Sequence, residues 1–113
     1  MSSALGLNDT LTPGQSLTSP SGTFIAALQG DGNLVVYRVG NSTALWASNT
    51  PGKGGTKLIM QGDGNLVLYT ASGSAVWASN TAGKGQSFCR MQDDGNFVVY
   101  VQGGSTWASN TQQ

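Results

Sequence analysis

The sequence predicts an all-β domain in which three copies of one sheet-forming unit close around a three-fold axis. The 113-residue chain holds 17 Gly, with abundant Ser, Thr and Asn and only 9% charged residues. That composition suits many short strands joined by tight turns. The apolar residues fall in ordered, strand-length blocks bounded by turn residues, unlike those of a low-complexity chain. The blocks also recur: LQGDGNLVVY (28–37), MQGDGNLVLY (60–69) and MQDDGNFVVY (91–100) align without gaps, and WASNT begins at Trp46, Trp77 and Trp107. Gln29, Gln61 and Gln92 stand 32 and 31 residues apart, and the three Trp 31 and 30 apart. A period of about 20–50 residues signals an open solenoid or a closed radial array. Three units are few for a stack with two exposed ends, so closure is predicted. Residues 1–113 read as a single domain, within the usual range of about 100–150.

Taken in order, the segment ahead of the first motif, with Leu5, Leu7, Leu11 and Leu17, is expected to complete the first and last sheets. Residues 23–29 then read as a strand, Gly30-Asp31-Gly32-Asn33 as a turn, 34–39 as the return strand and 44–49 as a third strand. Each is too short for a helix. Asp-Gly and Gly-Asn supply residues that tolerate positive φ in a tight hairpin. The two-residue period of side-chain direction puts Leu28, Leu34 and Val36 on one face and Gln29, Val35 and Tyr37 on the other. In the later units Leu58, Met60, Leu66 and Leu68, and Cys89, Met91, Phe97 and Val99, fall on the apolar face, while Lys57, Gln61, Arg90 and Gln92 fall opposite. Once-per-repeat Trp46, Trp77 and Trp107 suit a shared core on the axis. Sugar-stacking platforms would instead require WASNT to face outward.

Cys89 is the single cysteine, which excludes an intrachain disulfide and reads as a small buried hydrophobe. Asn8-Asp9-Thr10 and Asn41-Ser42-Thr43 match the glycosylation sequon and read as turns. The opening MSSALGLNDT holds neither a basic region nor an apolar run of about seven residues, so a cytoplasmic place or release by a non-classical route is expected. No window approaches the roughly 20 apolar residues of a membrane span. A formal net charge of zero leaves no footprint for nucleic acid.

Each unit places five residue types at intervals of two: Gln29, Asp31, Asn33, Val35, Tyr37; Gln61, Asp63, Asn65, Val67, Tyr69; Gln92, Asp94, Asn96, Val98, Tyr100. Gln ends one strand, Asp and Asn sit in the turn, and Val and Tyr point outward from the return strand, so the five converge on one shallow patch. A carboxylate, two amides and a phenol complement the donors and acceptors of vicinal hydroxyls, and Val offers an apolar surface to C–H groups. Turn chemistry alone accounts for Asp-Gly-Asn. It does not account for Gln and Tyr recurring unchanged while the inward residues vary.

Q-x-D-x-N-x-V-x-Y written three times, with WASNT closing each unit, resembles the monocot, bulb-type mannose-binding lectins of the snowdrop-lectin family over nearly the whole chain. The resemblance implies a β-prism II of three four-stranded antiparallel sheets with pseudo-three-fold symmetry. It also implies metal-independent binding of terminal α-mannose, without a cofactor, on glycans or glycoproteins. By the same resemblance Asp31, Asp63 and Asp94 with Asn33, Asn65 and Asn96 take the axial 2-hydroxyl, Gln29, Gln61 and Gln92 the 3-hydroxyl, and Tyr37, Tyr69 and Tyr100 the 4-hydroxyl. Val35, Val67 and Val98 pack on the ring carbons. A homodimer is implied in which the segment around 107–111 completes a partner's sheet. One departure is that the usual cystine is absent, its places held by Gly32 and Thr56.

Catalysis is not expected. A glycosidase needs two carboxyl groups about 5–9.5 Å apart across a bond, but the acidic residues are Asp9, Asp31, Asp63, Asp93 and Asp94, with no Glu and no His. Asp93-Asp94 is the single adjacent pair. The alternative to a multivalent lectin is a scaffold of the same fold, bacteriocin-like or taste-modifying-like, that meets a protein partner. Lys57 and Arg90 fall beside Gln61 and Gln92, with Ala27 at the matching place in the first repeat, so the sites are expected to differ in extended-glycan contacts.

Overall fold

The computed structural model describes residues 3–40, 42–83, 87–101, 104–111 and 113. Among these an opening segment forms β1 (Ala4–Leu5), β2 (Thr10–Leu11) and β3 (Ser16–Thr18). The first repeat forms β4 (Phe24–Leu28), β5 (Leu34–Arg38) and β6 (Thr43–Ala47), and the second β7 (Gly55–Met60), β8 (Leu66–Thr70) and β9 (Ala75–Ala78). The third forms β10 (Ser87–Met91), β11 (Phe97–Val101) and β12 (Gly104–Ala108). Three four-stranded sheets result, in the orders β3-β4-β5-β6, β2-β7-β8-β9 and β1-β10-β11-β12, antiparallel throughout. This is the β-prism the sequence predicts.

The sequence leads one to expect that the opening segment completes the first and last sheets; it instead lends one edge strand to each of the three. Leu5, Leu11 and Leu17 recur every six residues and each is buried, so each short strand contributes one side chain to the core. The chain then turns to the next wall, at Asn8 (φ 63°) and Gly14 (φ 92°). Leu7 lies in the first of these turns and is 45% exposed, so it does not belong to the core. Asn8 of the first sequon is thus a turn residue; Asn41 of the second lies outside the described residues. At the opposite edge β12 pairs with β11 of its own chain, Val99 facing Trp107 and Val98 facing Ala108. The third sheet is therefore completed in cis.

The inward faces of all three sheets meet in one core containing Leu28, Leu34, Val36, Leu58, Met60, Leu66, Leu68, Cys89, Met91, Phe97 and Val99, in the parity the sequence predicts. Truncating one such leucine to Ala costs about 2–5 kcal/mol. Trp46, Trp77 and Trp107 form an edge-to-face triangle, with centroids 5.2–5.4 Å apart, packed against this core. Each such pair contributes about 0.5–1.5 kcal/mol beyond area burial. The triangle joins the edge strands β6, β9 and β12, so it ties the three repeats at one end as the leucines of β1–β3 tie them at the other. Burial pushes the Cys89 thiol up to about 12, which leaves it a packing residue at neutral pH.

Candidate functional site

Each motif turn is built identically. In the first repeat Gln29 N–H donates to Asn33 C=O and Gly32 N–H to Gln29 C=O, both at 2.9 Å. Gly32, with φ 86°, occupies the position that requires the left-handed region. Its absent Cβ would stand 2.9 Å from Gly55 N, so the backbone facing Gly32 is Gly55, one residue before the Thr56 expected there. Inside each turn the carboxylate takes the amide two residues on: Asn33 N–H donates to Asp31 Oδ1 at 3.0 Å, and Asn65 to Asp63 and Asn96 to Asp94 at 2.9 Å. One oxygen of each Asp is committed to the turn and the other faces outward.

The asparagines are held by the end of WASNT, a role missed when that pentapeptide is read through its tryptophan. Asn33 Oδ1 accepts from Ser48 Oγ and from Thr50 N–H, each at 3.1 Å. Asn65 takes the same bonds from Ser79 and Thr81, and Asn96 from Ser109 and Thr111. The intervening Asn49, Asn80 and Asn110 have φ of 59–61°, the bend that aims a hydroxyl and an amide at one oxygen. The Thr hydroxyls reach on to the carbonyls of Gly32, Gly64 and Gly95. With Oδ1 saturated, each Asn presents its Nδ2 donors outward. The signal for these positioning residues was present in the unchanged recurrence of Ser, Asn and Thr.

At the other end of each patch Gln29 Nε2 donates to Tyr37 Oη, Gln61 to Tyr69 and Gln92 to Tyr100. That leaves the Gln carbonyl as acceptor and the phenol proton as donor. Val35, Val67 and Val98 lie between them and are only 2–3% exposed, so they form the floor of the patch. The structure thus brings together all five predicted residues in each of three copies: an acceptor carboxylate, an Asn donor, a Gln acceptor and a Tyr donor over an apolar floor.

The surroundings of the three patches differ, along lines set by register. Ile25, Lys57 and Phe88 stand opposite Tyr37, Tyr69 and Tyr100, whereas Ala27, Ile59 and Arg90 stand opposite Val35, Val67 and Val98. Lys57 therefore matches Ile25 and Phe88, and does not match Ala27 and Arg90 as expected from the sequence. Phe88 stacks on Tyr100 at 5.4 Å and the Arg90 guanidinium lies 5.9 Å from the Phe88 ring centre. Asp93 is not half of an acid pair with Asp94. It accepts from Ser21 N–H at 2.7 Å, tying the third turn to the β3–β4 connection. Those Ser21 bonds hold its carboxyl below the usual carboxylate range.

No family model matches the chain. Among solved structures it is similar to a monomeric monocot mannose-binding lectin from Gastrodia elata, 40% identical over 99% of this chain and 100% of that one, with a TM-score of 0.87. It is also similar to the mannose-specific agglutinin of snowdrop, Galanthus nivalis, in complex with methyl-α-D-mannoside, 40% identical over 98% of each chain, with a TM-score of 0.80. A curated relative, the B-type lectin plumieribetin of Scorpaena plumieri, is 39% identical over 71 residues, which are 63% of this chain and 60% of that protein. The match thus reaches less than two thirds of that relative's length.

Proposed function

Because the chain belongs to the bulb-type family of monocot mannose-binding lectins, we propose that it is a non-catalytic lectin binding terminal α-mannose at three metal-independent sites. The observation that carries this is the thrice-repeated hydrogen-bond arrangement. In every copy the turn and the Ser and Thr of WASNT consume the inward-facing polar atoms of Asp and Asn. An outward carboxylate oxygen beside an Asn Nδ2 suits a hydroxyl that must donate and accept at once, the role assigned to the axial 2-hydroxyl. Gln and Tyr then take the 3- and 4-hydroxyls, and Val35, Val67 and Val98 underlie the ring.

A bond to the charged Asp contributes about 1.5–3 kcal/mol and each neutral one about 0.5–1.5. After the cost of immobilising the sugar, a single site falls near millimolar affinity. Useful recognition then comes from several sites engaging clustered mannose, which raises apparent affinity by about 10²–10⁴ where geometry permits. The dimer is part of this reading: β12 exchanged between two chains would make on a partner's β11 the ladder it makes in cis. Sedimentation at twice the 11.6 kDa chain mass is the expected sign of that form.

Titration calorimetry with methyl α-mannoside and methyl α-glucoside, with and without a chelator, tests the proposal. Heat from the mannoside alone, near three equivalents per chain and indifferent to chelator, is expected. Silence from both at millimolar sugar would overturn it and favour a scaffold for a protein partner.

A further inference from the structure

The shared patch does not use the concavity that opens beyond Tyr69. It has a volume of about 460 Å³ and is lined by Thr12, Thr56, Lys57, Tyr69 and Thr70, among others, with no carboxylate in its wall. Its chemistry is one cation, the hydroxyls of Thr12 and Thr56 and the edge of a phenol, the Thr70 hydroxyl being taken up by Ser74 N–H at 3.1 Å and Ser72 Oγ at 2.9 Å. Lys57 faces Tyr69 directly across the β7–β8 ladder, so a side chain with a four-carbon stem rises on the same outward face as the tyrosine.

The cations near the other two tyrosines are engaged. Arg38 lies 5.1 Å over the Phe24 ring and donates to Gln113 Oε1 at 3.0 Å, and Arg90 lies over Phe88. The positions equivalent to Lys57 are the apolar Ile25 and Phe88. A lysine ammonium is a compact, strongly hydrated charge that pairs with oxyanions as a point charge. It stands opposite Tyr69, so with the 4-hydroxyl on that tyrosine, as proposed above, it would lie on the side of the carbon chain that leaves the ring next to that hydroxyl, C6 of a hexopyranose.

We infer that the second site carries an anion subsite, formed by Lys57 with Thr12, which accepts a phosphate or sulfate ester on C6 of the bound mannose. The inference rests on the lectin reading above and deepens it. The three sites then share one recognition core and differ in charge preference, with the second selective for anionic mannosides.

The test is calorimetric titration of the intact chain with methyl α-mannoside, mannose 6-phosphate and mannose 6-sulfate, in low salt and in 0.5 M salt, repeated on Lys57→Met. The expected result is that one site of three binds the 6-phosphate about fivefold more tightly than the mannoside. The singly charged sulfate should gain less than the phosphate, and high salt should remove both gains. Lys57→Met keeps the stem and removes the charge, so it should abolish the gain while leaving methyl α-mannoside binding unchanged. A 6-phosphate that binds no better than the mannoside, or a gain that survives in Lys57→Met, overturns the subsite and leaves the lectin reading standing. Absence of methyl α-mannoside binding overturns both.

Discussion

Ser79→Ala is the substitution that most directly tests whether WASNT builds the sites. Ser79 is 6% exposed. Its hydroxyl donates to Asn65 Oδ1 at 3.2 Å, accepts from Leu66 N–H at 3.0 Å and meets Thr81 Oγ1 at 2.7 Å. Alanine removes all three contacts and leaves the Leu66 N–H buried, with its partner gone and little access for water. Each lost bond costs about 0.5–1.5 kcal/mol and the stranded donor about 1–3. Some of this is recovered because Thr81 N–H still holds Asn65. A net loss of about 2–3 kcal/mol follows, which lowers Tm by roughly 10 °C in a domain of this size.

The functional consequence is local. Asn65 loses one of its two anchors, so its Nδ2 must be ordered when sugar arrives, and the second site should weaken about tenfold, or about 1.4 kcal/mol. The first and third sites have their own Ser48 and Ser109 and should be unchanged. Thermal melting together with mannoside titration reads both effects: the expected pattern is a lowered Tm with two normal sites and one weak one. An unchanged Tm, or equal weakening at all three sites, would refute the assignment of these serines as positioning residues.

Three further substitutions probe the frame of the sites. Gly32→Ala places a Cβ 2.9 Å from Gly55 N at φ +86°, and should lower the urea midpoint by the equivalent of about 2–4 kcal/mol. Gly14→Ala, at φ +92° with nothing within 4 Å, isolates the backbone part and should lose less; equal losses would show that the close approach to Gly55 is immaterial. Asp93→Asn tests the bond to Ser21. The folded carboxyl is held below its ordinary value, so the unfolded chain binds the proton more readily. The stabilisation is therefore present above about pH 4 and is lost as pH falls through the lower folded value. Urea unfolding should separate wild type from Asp93→Asn at pH 7 and bring them progressively together as pH falls below the ordinary carboxylate range; a gap that does not narrow in acid refutes the linkage.

Most of this architecture is legible in the sequence because each level repeats. The period of about 31 residues, the parity of Leu28, Leu34 and Val36, and the five-residue motif all translate into observed sheets, core and patches. The parts that were not legible have separate physical causes. The two-residue strands β1 and β2 are too short to show alternation, so only the six-residue spacing of Leu5, Leu11 and Leu17 could have placed them. WASNT is dominated by a large apolar residue whose packing explains its recurrence, which masks the hydroxyls that orient Asn33, Asn65 and Asn96. The match between Lys57, Ile25 and Phe88 follows from register counted back from Gln, whereas grouping by charge joined Lys57 to Arg90.

The fold also determines how the three patches can cooperate. All three sheets turn their inner faces to a single core and a single Trp triangle, so their outer faces must point away from one another around the axis. With overall extents of 36 × 34 × 22 Å, no short branched sugar can wrap from one patch to the next. On the proposed lectin reading, one chain would bridge separate glycans, and would gain avidity only when those glycans are themselves carried on one surface or particle. Its valency should show first as cross-linking. The patches sit on the two inner strands of each sheet, whose flanking edge strands are tied together by leucines at one end and tryptophans at the other, so the frame that sets their relative directions is the core itself.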